Sequence, residues 1–220
     1  QYDWTYNIYF QNESGVGYTL YETVSARSHD NGSYWETQQH APTYPGMEQV
    51  SKEKLSGQLV INFYYDRLTY TLNFMDGKYA DGNDNTVQNK SGNQLSTEEG
   101  VAYGSSLAEF ASYVPDLPNG ESGYVYEGWY ADEACTHPFD FTTAKMPEGG
   151  LTVYAKWRQI QYRVFLHAMT DDTTLLWGGS EAATEAQSMT FRRSYGEKIS
   201  TPEGTSTGYT FGGWYLNKSY

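Results

Sequence analysis

The sequence predicts an α+β chain built from small, β-rich modules in tandem. Three observations carry that reading. The phrase Gly123-Tyr-Val-Tyr-Glu-Gly-Trp-Tyr130 returns as Gly208-Tyr-Thr-Phe-Gly-Gly-Trp-Tyr215, identical at five of eight positions. Tyr70-Thr-Leu-Asn-Phe74 and Tyr162-Arg-Val-Phe-Leu166 each precede a Tyr-Gly pair, Tyr103-Gly104 and Tyr195-Gly196, by the same 33 residues. The chain also holds 22 Tyr and 6 Trp among polar residues, a composition of short strands joined by turns rather than of disorder. Such a repeat marks an array of small domains, whose usual contributions are reach, spacing and multivalency.

The elements follow in order. In Tyr6-Asn-Ile-Tyr-Phe10, Tyr6, Ile8 and Phe10 share one face of a strand. Asn12–Gly17 is a turn, and Tyr18–Val24 is the returning strand of a hairpin. Asp30-Asn31-Gly32-Ser33 is a second turn. Met47–Leu55 reads as a helical turn or two, and Leu59–Tyr65 closes the first module as a strand. Asp66-Arg67-Leu68 is a linker so short that neighbouring modules must nearly touch. The second module runs from strand Thr69–Phe74 through a turn-rich stretch, Asp76–Asn85, to Gly104–Tyr113. There Leu107 and Phe110 recur at helical spacing behind Ser105 or Ser106 as N-cap, and Pro115 ends the helix. Strands Tyr124–Trp129 and Leu151–Trp157 complete it, with the helix expected to be buried against a small mixed sheet. The third module repeats the second through Gly213-Trp214-Tyr215. The segment between the Tyr-Gly pair and the Gly-Tyr phrase is seven residues longer in the second module, and the excess falls in Leu107–Asn119. The resulting division is 1–67, 68–158 and 159–220. The third module ends without a counterpart of Leu151–Trp157, so the reading is of a piece of a longer protein.

Composition narrows the function classes. The net charge is −13, with 27 acidic residues against 14 basic ones, and the basic residues form no run. That disfavours nucleic acid and anionic membrane surfaces as partners. No apolar stretch is long enough for a membrane-spanning helix. The lone Cys135 excludes an internal disulfide framework.

The second module holds, in order, Tyr70–Phe74, Tyr103-Gly104, Gly123-Tyr124, Gly128-Trp129-Tyr130, Pro138-Phe-Asp-Phe141, Met146-Pro147 and Leu151-Thr-Val-Tyr-Ala-Lys-Trp157. Through these landmarks it resembles the Listeria–Bacteroides repeat, also called the internalin B-repeat. The third module is similar to the same repeat, truncated before its last strand. The first is similar to mucin-binding-protein repeats through Tyr6–Phe10, Tyr44-Pro-Gly46 and Val60–Tyr65. These resemblances imply ubiquitin-like β-grasp modules, strung as an elongated rod on a bacterial surface protein. They further imply that Tyr70–Phe74 pairs in parallel with Leu151–Trp157.

The residues that could carry chemistry are weighed against packing. Trp129 and Trp214 occupy one repeat position behind glycine and read as core rather than as sugar platforms. Trp157 reads as packing at a module junction. Trp35 and Trp177 have no counterpart in the complete module, so they stand as ligand-contact candidates. Strand alternation turns about half the strand tyrosines outward, which adds Tyr64, Tyr65, Tyr130 and Tyr154 to the candidates. Asp81-Gly-Asn-Asp-Asn85 alternates oxygen ligands but lacks the glycine and terminal Glu of a calcium loop, and reads as a solvated turn. Cys135 and His137, near Asp132, Glu133 and Asp140, share one loop with poor geometry for a nucleophile and base, so Cys135 reads as a surface thiol. His29, His40 and His167 show no metal spacing. No catalytic residue, cofactor or metal is expected.

The sequence therefore reads as a non-catalytic segment of a bacterial adhesin, extracellular and wall-anchored through regions beyond it. Its expected partners are a host glycoprotein, a mucin glycan or a secreted protein such as immunoglobulin, besides its neighbouring repeats. A pure mechanical spacer and an appendage of a secreted glycan-degrading enzyme are the alternatives.

Overall fold

The computed structural model describes residues 2–28, 41–118, 120–168, 174–176, 185–186, 188–201 and 203–216. The chain divides into two compact units. One comprises Gln1–Lys78, Asn89–Asp116 and Gly128–Lys156; the other comprises Tyr79–Gln88, Leu117–Glu127 and Trp157–Tyr220.

The first unit opens with β1 (Tyr2–Gln11) and β2 (Tyr18–Ser28), joined at Asn12–Gly17, where Gly15 and Gly17 take positive φ. Next come β3 (Met47–Lys54) and β4 (Val60–Arg67), giving a four-stranded sheet in the order β2-β1-β4-β3. β1 and β4 run parallel from Thr5↔Val60 to Phe10↔Tyr65, and the other neighbours are antiparallel. Alternation along β1 and β4 buries Trp4, Tyr6, Ile8, Ile61, Phe63 and Tyr65 on one face, where Met47 joins them. The helical turns expected at Met47–Leu55 are instead strand β3. Only Met47 of that strand is buried, and its backbone pairs with β4 across a bulge at Val50.

The second module supplies β5 (Thr69–Met75), β6 (Lys78–Ala80), β7 (Thr86–Asn89), β8 (Gln94–Ala102), β9 (Tyr124–Tyr130) and β10 (Leu151–Gln159). In the first unit, β5 lies between antiparallel β8 and parallel β10, with Leu72–Met75 opposite Leu151–Tyr154. The parallel pairing of the module's first and last strands is therefore present. In the second unit, Trp157 and Arg158 pair in parallel with Tyr79 and Ala80.

The α+β class is overturned. Among the described residues the only helix is a five-residue 3-10 turn, Ala108–Ser112, which buries none of its side chains. The helix of a ubiquitin-like β-grasp module, expected over Gly104–Tyr113, does not form, and the described chain is all-β. Two physical reasons account for it. Pro115 biases Val114 toward extended backbone, leaving too few residues to repay helix nucleation. The segment's one fully buried side chain, Leu107, lies before the turn, where its amide bonds Ala144.

The third module contributes β11 (Gln161–His167), β12 (Thr174–Leu176), β13 (Glu185–Ala186), β14 (Ser188–Ser194) and β15 (Glu203–Thr205). β11 pairs antiparallel with β14 from Gln161↔Ser194, as β5 pairs with β8 from Thr69↔Ala102. The repeat seen in sequence returns in the hairpin register at Thr69↔Ala102 and Tyr70↔Val101; beyond Tyr70 the β5–β8 register shifts, while β11–β14 runs unbroken. β12 lies between β13 and β15 in a separate three-stranded sheet.

Candidate functional site

The alternation that buries Trp4, Tyr6 and Ile8 sends Thr5, Asn7 and Tyr9 to the opposite face of the first sheet. Parallel register then sets like residues side by side, Asn7 against Asn62 and Tyr9 against Tyr64. Tyr9 and Tyr64 stack with ring centroids 5.0 Å apart, and Tyr18 of β2 meets Tyr64 edge-on at 5.2 Å. The Tyr18 hydroxyl donates to Asp66 at 2.6 Å, which fixes that ring and raises its pKa. Beside the rings, Asn7 Nδ2 donates to Asn62 Oδ1 at 3.0 Å, and Thr23 donates to Asn7 Oδ1 at 3.0 Å. The result is three immobilised phenol rings next to a ladder of amides and a hydroxyl, with Leu20 exposed on the same hairpin. Rings held by neighbours offer contact area at little entropic cost.

Of the sequence candidates, Tyr64 sits at the centre of this face. Tyr65 does not belong to it. It is 1% exposed, points into the core, and donates its hydroxyl to the Pro42 carbonyl. Tyr9 and Tyr18 are the residues that sequence reasoning missed. The period-two pattern that places Tyr6 and Ile8 inside already places Tyr9 outside. Tyr130 and Tyr154 are half-buried in the second module. Lys156 lies over the Tyr130 ring at 5.3 Å, and burial with a hydrogen bond to Glu133 raises the Tyr154 pKa. Trp35 and Trp177 lie outside the described residues.

Comparison with known proteins places this chain in a lineage. The family model of the Listeria-Bacteroides repeat domain matches residues 70–156 and 178–220, more than half of the chain. The chain belongs to that family. A protein of Evansella cellulosilytica, provisionally described as a Gly-rich membrane protein, is 32% identical over 135 residues. Internalin H of Listeria monocytogenes is 31% identical over 105 residues. The matches cover 60% and 48% of this chain, but only 13% and 16% of those proteins.

Within the Listeria-Bacteroides repeat the landmark tryptophan is structural. Trp129 is 5% exposed, packs on Phe74 at 5.0 Å and on Tyr113, and donates Nε1 to the Tyr113 carbonyl at 3.0 Å. Trp157 is also buried, stacked with Tyr79 at 5.9 Å. Trp214 of the third module is half-buried against Phe211.

The reading of Cys135 as a surface thiol is wrong. Cys135 is 3% exposed, its sulfur lies 3.8 Å from the Ala155 carbonyl, and burial raises its pKa. His137 turns outward to Thr136 and Asp132. Amides of Thr136 and His137 hold the Asp132 carboxyl down at about 2. Asp81 is likewise engaged, accepting from the amides of Asn83 and Asn85 and from the Asn85 side chain. No group of three His, Cys, Asp or Glu side chains is placed to hold a metal among the described residues. An open cleft lined by Glu13, Glu98, Glu99 and Glu109 is acidic, and Lys145 neutralises Glu13 at 2.7 Å.

Proposed function

We propose that this chain is a non-catalytic segment of an extracellular bacterial adhesin, binding a host glycoprotein, mucin glycan or secreted protein through the outer face of its first module. The observation that carries the reading is the Tyr9–Tyr64–Tyr18 cluster beside the Asn7–Asn62 pair. Flat rings flanked by amides and hydroxyls suit sugars and peptide backbones alike. Membership of the Listeria-Bacteroides repeat family and likeness to an internalin and to a membrane protein support the surface location. The first module lies before the family match, and it is the part similar to mucin-binding-protein repeats. Weak contacts repeated along the parent protein would add up by multivalency.

The test is capture by the immobilised chain from mucus and secretory fluid, followed by titration of whatever stays bound. The double variant Tyr9→Ala, Tyr64→Ala should abolish saturable binding, while substitutions at exposed Val125 and Glu127 should preserve it. Binding unchanged in the double variant would sink the proposed face. No capture at micromolar concentration would favour a second reading, a mechanical spacer. The parallel first-to-last strand pairing in each of the first two modules supports that second reading.

A further inference from the structure

The Tyr-Gly pairs are the most regular landmark of the repeat, and Tyr103 packs half-buried against the hydrophobic core of the first module. Its surroundings show how it is held there. The amide of Leu68, the linker residue after the first module, donates to the Gly46 carbonyl at 2.9 Å. The Leu68 carbonyl accepts from the Tyr103 amide at 2.8 Å. The Tyr103 ring lies flat on Gly46, so close that a Cβ there would fall 2.2 Å from Cγ of the ring. Gly46 has φ +67, so both its conformation and its neighbour demand glycine. Arg67 seals the arrangement, donating Nη1 to the Tyr103 carbonyl at 2.7 Å and Nε to the Gln11 carbonyl at 2.8 Å.

The second unit holds the same construction with different residues. The Ile160 amide donates to the Gly123 carbonyl at 2.7 Å, and the Ile160 carbonyl accepts from the Tyr195 amide at 2.9 Å. A Cβ on Gly123, at φ +79, would lie 2.1 Å from Cδ1 of Tyr195. Tyr103 follows Leu68, and Tyr195 follows Ile160, by the same 35 residues. Two joints with unlike flanking sequence have thus arrived at one arrangement of glycine, linker and tyrosine.

We propose that Tyr103 and Tyr195 are clasp residues. Each fastens its own module to a glycine of the module before it, so that the linker residue is hydrogen-bonded on both sides within the joint and is not a hinge. The specificity of the joint lies in the pairing of a ring with a face bare of Cβ. The two backbone bonds at Leu68 or Ile160 fix its register. The partner surface that each module offers its successor is accordingly its positive-φ glycine.

The whole chain in solution tests this by nuclear magnetic resonance. The α protons of Gly46 and Gly123 should be shifted upfield by the ring above each. Tyr103→Ala should return Gly46 to an ordinary shift and leave Gly123 unmoved, while Tyr195→Ala should do the reverse. Tyr103→Phe should preserve the shift. Amide exchange at Leu68 and Tyr103 should quicken roughly tenfold in Tyr103→Ala with Leu72 and Phe74 unaffected, as expected when a joint opens without the fold. If Tyr103→Ala does not fold, the wild-type shifts and the Tyr195→Ala variant decide. Ordinary glycine shifts in the wild type, or linker amides that exchange as in a free chain, would overturn the proposal.

Discussion

At the scale of single residues, the first module stakes its stability on phenols kept from water. Burial pushes the Tyr65 hydroxyl up to about 12 from its ordinary 10.0. Burial and then the Glu22 carboxylate raise Tyr44 as well, and burial raises Tyr6. Between pH 10 and 12 the unfolded chain therefore releases protons that the folded chain retains. Stability must fall as pH rises through that window. Near-ultraviolet circular dichroism followed with phenolate absorbance should show a set of tyrosines ionising only as the first module unfolds. Tyr65→Phe should flatten that alkaline limb. Free ionisation of all 22 tyrosines near 10 in an intact fold would refute it. The residue scale also shows where sequence reading stops. Trp129 was legible as core because its position repeats behind glycine. Cys135 was not, because its burial comes from contacts distant in sequence. Its sulfur sits under Gly77 and beside Ala155, and its own φ of +52 turns the loop inward.

At the scale of elements, strand alternation located β4, β5, β9 and β10 within a residue or two of their bounds, and caught only Tyr6–Phe10 of the longer β1. It failed where a helical spacing met a chain too short to use it. Leu107 and Phe110 do recur at helical distance, but only Leu107 is buried, and it lies before the 3-10 turn. Local periodicity cannot register that Leu107 is held by the Ala144 carbonyl across the module. Stability measurements separate the two architectures. Glycine at an exposed position inside a true helix costs about 1 kcal/mol. Ala111→Gly should cost well under that, because no helical ladder depends on it. Leu107→Ala should cost about 2–5 kcal/mol, the range for emptying a packed site. Urea melts of both variants check this, and equal losses would restore the helix. Met47–Leu55 teaches the same lesson: one buried Met on a polar segment does not specify helix when β4 offers an open edge.

At the scale of the whole molecule, the order of strand pairing decides how the chain answers a pull on its ends. In the first module, force enters at the start of β1 and leaves at the end of β4, and these strands are parallel neighbours. They are loaded in shear, so their hydrogen bonds must fail together rather than unzip. The second module repeats the design with β5 and β10. The two clamps differ in continuity. Registered pairs run unbroken from Thr5↔Val60 to Phe10↔Tyr65 in the first, whereas in the second Leu72↔Leu151 to Met75↔Tyr154 is one run and Tyr79↔Trp157 with Ala80↔Arg158 is another. Stacking of Tyr9 on Tyr64 lies across the first clamp and stiffens it further. The second module should therefore yield at the lower force. Its release would be recognised by its step, because residues 69–159 pay out about 320 Å of extended chain and residues 2–67 about 230 Å. Single-molecule pulling should show the long step before the short one. The reverse order would mean that continuity of register does not govern the clamps. Smooth extension without discrete steps would mean that they are not loaded in shear, and the spacer reading would lose its mechanical basis.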